Sequence, residues 1–139
     1  MFDRILVGFD GSAQSRKALS AALELSSRVK AQIEAAIVIH PPDFAELEAE
    51  VQVAVKEANG ALKEAIEWAH REAQKYRVDL QIHKHLGHPA EMLVRLAEEG
   101  RFDLIVVGRR GRSAVARWTL GSISDRVLRY AHCPVMVVH

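Results

Sequence analysis

Apolar residues along this chain follow three patterns: consecutive runs, alternation with polar residues, and positions three or four residues apart. Short runs rich in β-branched residues occur at Ile5-Leu6-Val7, at 33–40 and at 102–107, and they predict strands that are buried on both faces. Segment 79–86 alternates apolar and polar residues, which predicts a half-exposed strand. Pro134 to Val138 predicts a last strand at the end of the sequence.

The segments between these runs have helical spacing. Ser12 is placed to cap the first helix, and Gly100 is placed to stop the helix that contains Ala90 to Ala97. Another helix follows Gly121, with Ile123 and Val127 on its apolar side. The longest segment, Asp43 to Tyr76, predicts an amphipathic helix that breaks, if anywhere, at Asn59-Gly60, because glycine costs about 1 kcal/mol in a helix interior.

Strands that alternate with helices indicate parallel pairing through right-handed crossovers. The sequence therefore predicts a three-layer α/β/α protein with an open, parallel, five-stranded sheet. A length of 139 residues is enough for one domain, which we take to be residues 1–139. Sheets of this kind bind ligands beyond the carboxyl ends of their strands, where the strand order reverses.

Composition excludes several classes of function. Hydrophobic residues make up 49% and charged residues 27%, and the net charge of +1 gives no global field for nucleic acid or a membrane surface. No apolar run is long enough to span a membrane, and the N-terminal residues lack the pattern of a signal peptide. The single cysteine, Cys133, precludes an internal disulfide and suits a reducing cytoplasm. We expect a cytoplasmic protein that binds neither nucleic acid nor membranes.

A glycine-rich loop joins the fourth predicted strand to the last helix. Its spacing is Gly108-x2-Gly111-x9-Gly121-Ser122, with Ser124 two residues further on. Glycines let backbone N–H groups approach phosphate oxygens, and a helix N-terminus favours negative charge. The spacing is neither a P-loop nor the G-x-G-x-x-G dinucleotide fingerprint. The alternative interpretation is that these glycines only make turns.

The residues around this loop resemble the nucleotide-binding signature of the universal stress protein family. They read Val107-Gly108-Arg109-Arg110-Gly111-Arg112-Ser113, then Leu120-Gly121-Ser122-Ile123-Ser124-Asp125. The resemblance covers nearly the whole chain and implies a Rossmann-like sheet of the adenine nucleotide alpha hydrolase-like kind, with strand order 3-2-1-4-5. It also implies that the chain binds ATP, with Mg²⁺ or, alternatively, Mn²⁺.

The resemblance assigns nucleotide contacts to three separate stretches. It places Asp10, just after the first strand, against the ribose or a bound divalent metal; the alternative is that Asp10 only stabilises its own turn. Pro41 follows the second strand, where family members read the adenine edge with backbone groups, but proline offers only its carbonyl. The remaining predicted contacts come from the glycine loop: Val107, Gly108, Arg109, Gly111, Arg112, Gly121, Ser122, Ile123 and Ser124.

Arginines beside the glycine loop supply positive charge for a polyphosphate. Of Arg109, Arg110, Arg112 and Arg117, we rank Arg112 first and Arg117 last as a phosphate contact. The alternative is a solvated, charged loop. A cluster at His83, His85 and His88 offers a weaker metal-site alternative, since zinc sites usually recruit further ligands.

Three functions remain open from the sequence. The first is an ATP-binding regulatory module of the stress response, because no side chain is an obvious base for hydrolysis and no Walker-type lysine is present. The second is a slow ATP hydrolase or phosphoryl transferase in which Asp10 holds the metal. The third is a protein-interaction module with a vestigial nucleotide pocket.

The last predicted strand also predicts assembly. Val135 to Val138 forms an outer strand almost without charge, and an exposed apolar edge invites pairing with another chain. We expect a homodimer in which two such strands meet antiparallel, as the family resemblance also implies.

Overall fold

The computed structural model describes residues 1–40, 48–109 and 121–139. The elements alternate regularly along the chain: β1 (Arg4–Gly8), α1 (Ala13–Val29), β2 (Gln32–Ile39), α2 (Glu48–Lys75), β3 (Leu80–Leu86), α3 (Pro89–Glu99), β4 (Leu104–Gly108), α4 (Ser122–Tyr130) and β5 (Val135–Val138). The strands form one five-stranded sheet in the order β3-β2-β1-β4-β5, and every pairing is parallel. The predicted fold and strand order are confirmed.

The two faces of the sheet are covered by different helices. Ile5 and Val7 of β1 belong to a core shared with α1 and α2, whereas Leu6 belongs to a second core shared with α3 and α4. This division follows from the strand geometry, because successive side chains of a strand lie on opposite faces. All of the central residues Ile5, Leu6 and Val7 are completely buried, as the apolar run predicted.

Helix α2 is continuous across Asn59 and Gly60, so no break occurs where one was most expected. A Cβ atom added at Gly60 would meet nothing within 4 Å, so the glycine makes no tight contact that would bend the chain. Ala65, Ala69 and Ala73 beyond it are buried on the sheet, and Val55 before it packs against the same core. Packing of this apolar face outweighs the helix propensity of one glycine. The start of the predicted helix, residues 43–47, lies outside the described residues.

The amino ends of β1 and β4 are joined by one carboxylate. Asp103 Oδ2 accepts a hydrogen bond from Asp3 N at 2.8 Å, and its Oδ1 accepts one from Arg4 N at 3.1 Å. The Asp103 side chain thereby satisfies two backbone donors at the point where β1 begins.

Replacement of Asp103 by alanine should lower the free energy of unfolding by about 1–2 kcal/mol, because two hydrogen bonds to a charged acceptor are lost. Urea denaturation measures this change. The Asp103→Asn variant keeps an amide oxygen and should lose less. An unchanged urea midpoint for Asp103→Ala would show that the two hydrogen bonds do not contribute to stability.

No helix in the described ranges is both long enough and apolar enough to cross a membrane.

Candidate functional site

A cleft lies at the carboxyl edge of the sheet, where the order reverses between β1 and β4. It is open to solvent. Its lining comes from three strands and from the beginnings of three helices: Gly8, Phe9, Asp10, Ser12, Gln14, Ser15, Ala36, Val38, Pro89, Leu93, Val107, Gly108, Gly121, Ile123 and Ser124. A cleft therefore lies at the topological switch point, where ligands are expected to bind in this kind of sheet.

The cleft adjoins the core that α3 and α4 form with the sheet. Leu6 and Val127 are completely buried in that core. Ala36, Leu93 and Val107 belong to the same core and also line the cleft. Since crossovers in this fold return every helix to the same edge, the N-termini of α1, α3 and α4 all lie at this edge. The partial positive charge of helix N-termini favours an anionic ligand there.

Asp10 stands in a hydrogen-bonded turn between β1 and α1. Its Oδ1 accepts from Ser12 N at 2.9 Å, and its own N–H donates to Ser15 Oγ at 3.3 Å. Ser12 caps α1 by accepting from Ser15 N at 3.2 Å, as predicted. Asp10 thus stabilises its own turn and also lines the cleft, so the two interpretations of this carboxylate are compatible.

Gly108 ends β4 in tight contact with the first turn of α1. A Cβ atom at this position would lie 2.5 Å from the backbone oxygen of Gln14, a distance that requires the backbone to shift. The Gly108 carbonyl also accepts a hydrogen bond from Ser124 Oγ at 3.1 Å, and the Ser124 side chain is buried. A glycine is therefore required here for packing, whatever the ligand, and Ser124 attaches the start of α4 to the end of β4.

Gly121 is the N-cap residue of α4 and lines the cleft, and Ser122 begins the helix. Within the described residues, no side chain makes a capping hydrogen bond at this helix N-terminus. The first-turn N–H groups are the donors that an anion would use. Val107 and Ile123 contribute apolar walls to the same cleft.

Arg109 takes a different position from Gly108, which precedes it. Its N–H donates to Val138 O at 2.8 Å, and Nη1 lies 3.1 Å from His139 Nδ1. Arg109 and Ser122 are not among the residues that line the cleft. Pro41, Gly111 and Arg112 lie outside the described residues, as do Arg110 and Arg117.

Sequence reasoning missed most of the cleft wall. Ala36 and Val38 of β2 share a sheet face with Gly8 of β1, and Pro89 and Leu93 come from the first turns of α3. The signal that could have identified them is the period of two along the strands, combined with the crossover rule that places the N-terminus of α3 at this edge. Gln14 and Ser15 follow in the same way from the start of α1.

The histidines form contacts of other kinds. His83 Nε2 lies 3.9 Å from Glu34 Oε1, and the His40 and His88 rings are tilted with centroids 4.5 Å apart. Within the described ranges, no group of three His, Cys, Asp or Glu side chains could hold a metal ion.

Burial raises the pKa of the Cys133 thiol above its usual value, and the nearby Asp103 charge acts in the same direction.

Fold and cleft together define an α/β protein with an anion-favouring pocket at the switch point of a parallel sheet. The sequence model of the universal stress protein family matches residues 1–139. The chain belongs to the universal stress protein family.

Relatives and solved structures agree with this assignment. Universal stress protein MJ0531 of Methanocaldococcus jannaschii is 32% identical over 143 residues, covering 99% of this chain and 82% of that protein. Universal stress protein YxiE of Bacillus subtilis is 31% identical over 153 residues, covering 99% of each protein.

Two solved structures show the same fold. A universal stress protein solved in complex with cAMP superposes with a TM-score of 0.78 at 29% identity, over 99% of this chain and 97% of that one. UspA from Lactobacillus plantarum gives a TM-score of 0.83 at 23% identity, over 99% and 98% of the two chains.

Proposed function

We propose that this chain binds an adenine nucleotide, with ATP as its ligand, and acts as a nucleotide-dependent regulatory module in a cytoplasmic stress response. The observation that supports the proposal is the convergence of Asp10, Gly108 and Gly121 on one cleft from separate parts of the chain. Support also comes from the relative solved with cAMP, which is 29% identical over nearly the whole chain.

Each predicted contact has a proposed task in this cleft. The N–H groups of Gly121, Ser122 and the loop residue Gly111 bind phosphate oxygens, and Arg112 offsets their charge. Asp10 binds the ribose or the metal. The Pro41 carbonyl accepts from the adenine amino group.

The other members of the predicted set shape the cleft. Val107 and Ile123 enclose the nucleotide between apolar walls, while Gly108 and Ser124 hold β4 and α4 at the right separation. Arg109 directly follows β4 and is hydrogen-bonded to the end of β5, and we propose that it supplies positive charge to the phosphates from this edge.

Mg²⁺ fits the donors that the cleft offers. This ion prefers oxygen ligands, retains several waters, and is commonly bound by one or two carboxylates together with substrate phosphates. The Asp10 carboxylate at the cleft is such a donor, so a three-residue protein site is not needed. When bound, the ion would offset phosphate charge, and Mn²⁺ could replace it.

ATP with Mg²⁺ should raise the melting temperature of the protein, and GTP should raise it less. A ligand present at 100 times its Kd stabilises the folded state by about 2.7 kcal/mol. Differential scanning calorimetry with millimolar ATP, GTP and cAMP measures the shift in melting temperature for each nucleotide. The proposal would be contradicted if the melting temperature did not change with any adenine nucleotide. A shift with cAMP alone would identify the cyclic nucleotide, and not ATP, as the ligand.

We also propose that two chains associate through β5. On one side β5 pairs with β4, and in the described part of the chain no strand pairs with its other side. Its residues Val135, Val137 and Val138 are partly exposed, and Met136 is 36% exposed. An antiparallel partner strand would cover this apolar edge and satisfy its backbone groups.

The Val137→Lys variant should therefore be a monomer, whereas the wild type should be a dimer at micromolar concentration. Light scattering gives both masses, and circular dichroism verifies that the variant is folded. The matched control is Val53→Lys, since Val53 on α2 is 56% exposed and far from the β5 edge in sequence. A monomeric wild type, or a dimer that survives Val137→Lys, would exclude this interface.

A further inference from the structure

The loop that contains Asp10 packs against α2. Phe9 is buried and stacks on Trp68, with ring centroids 6.3 Å apart and planes 13° from parallel. Gly11 has φ +85°, and a Cβ atom there would lie 2.9 Å from the Ala65 Cβ. Both neighbours of Asp10 thus contact one short segment of α2, residues 65–68.

Arg16 links the same segment to the loop backbone. Its Nε donates to the Gly11 carbonyl at 3.0 Å, and its Nη2 donates to Glu64 Oε2 at 2.7 Å. The guanidinium also lies 5.0 Å from the centre of the Trp68 ring. The hydrogen bond from Arg16 lowers the pKa of the Glu64 carboxyl below its usual value.

These contacts orient the Arg16 guanidinium and contribute little to the stability of the fold. The Glu64 side chain is 68% exposed, and exposed ion pairs contribute little to stability. A planar guanidinium, however, directs its donors along fixed directions, so an ion pair and an aromatic face on α2 orient the Nε–H toward Gly11 O. Arg16 itself is not among the residues that line the cleft.

We propose that Arg16 is a positioning residue of the nucleotide site: it bridges Glu64 and Trp68 of α2 to the Gly11 carbonyl and thereby sets the orientation of the Asp10 carboxylate. The binding consequence rests on the proposed function. The geometric consequence does not, because it concerns hydrogen bonds within the Asp10 turn itself.

A double-mutant cycle tests the binding consequence. Titration calorimetry with ATP and Mg²⁺ should show about tenfold weaker binding for Arg16→Ala, the loss typical of one charge-assisted contact. In an Asp10→Ala background, the same change should alter Kd by less than about twofold, because Arg16 acts through Asp10. Arg16→Lys should recover part of the affinity. The control is Arg28→Ala, which removes the Arg28–Glu24 pair at the other end of α1 and should leave Kd unchanged.

Hydrogen exchange tests the geometry without nucleotide. The Ser12 amide donates to Asp10 Oδ1, so Arg16→Ala should accelerate its exchange about tenfold if the turn loosens. The Ser15 amide, which donates to Ser12 Oγ at the helix cap, should be unaffected; general fraying of α1 would accelerate both.

The outcomes separate the two proposals. A wild type that binds no adenine nucleotide contradicts the proposed function, and the Ser12 exchange rate then decides the positioning role alone. Unchanged Ser12 exchange in Arg16→Ala overturns the positioning role. The positioning role is also overturned if Arg16→Ala still weakens ATP binding by the full tenfold in the Asp10→Ala background.

Discussion

Replacing Gly108 by alanine should lower the free energy of unfolding by about 2–3 kcal/mol, because overpacking a closed site displaces the backbone. The added Cβ would lie 2.5 Å from the Gln14 oxygen and 2.6 Å from the Gln14 carbonyl carbon. Neither atom belongs to a flexible side chain, so β4 and α1 must separate. Urea denaturation, analysed with the slope as well as the midpoint, measures the change.

The control for this prediction is Gly60→Ala, the same substitution where space is open. Gly60 lies inside α2, and no atom lies within 4 Å of a Cβ placed there. Alanine is the better helix former by about 1 kcal/mol, so this variant should be more stable than the wild type. Equal stability of Gly108→Ala and the wild type would show that the contact between β4 and α1 is looser than 2.5 Å implies.

The Gly121→Val variant should bind ATP at least about tenfold more weakly, while its stability changes by no more than about 1 kcal/mol. Gly121 has φ −62° and ψ 154°, an extended conformation that valine also adopts, so no backbone strain follows. The branched side chain would instead occupy the cleft, where the phosphates are proposed to reach the N–H groups of α4.

Titration calorimetry on the folded variant measures the affinity, and urea denaturation measures the stability. Gly121→Ser is the matched control, since serine is a good N-cap residue and its side chain is smaller than that of valine. Wild-type affinity in Gly121→Val would place the phosphates elsewhere in the protein.

The fold could be predicted from the sequence because the patterns that indicate its strands and helices are local. The apolar run at Ile5-Leu6-Val7 and the helical spacing of Ala18, Leu19, Ala22 and Leu23 each report burial within one element, and these residues are all buried. The exception is the continuity of α2 through Asn59-Gly60. The cost of one glycine in a helix interior, about 1 kcal/mol, cannot overcome an apolar face that continues on both sides of it.

The sequence predicts the candidate site only in part, because the remaining features of the site depend on contacts between residues that are distant in the sequence. Nothing local to Gly108 shows that Gln14 lies against it, so a glycine interpreted as a phosphate contact is also a packing residue. The sequence predicts Arg109 as a nucleotide contact, but it does not show that the pairing of β4 with β5 also places this residue beside His139. Arg16 and Glu64 are 48 positions apart, and only the packing of α1 against α2 brings them together.

Binding of an adenine nucleotide at the carboxyl edge between β1 and β4 can be tested by titrating isotopically labelled protein with ATP and Mg²⁺ and following the backbone amide chemical shifts. We expect saturable shifts for the amides of Asp10, Gly108, Gly121 and Ser122, with small changes at the opposite edge near Lys30 and Arg77. Absence of saturable shifts, or shifts centred on the groove between α3 and α4 that Arg95 and Arg126 line, would contradict binding at the carboxyl edge.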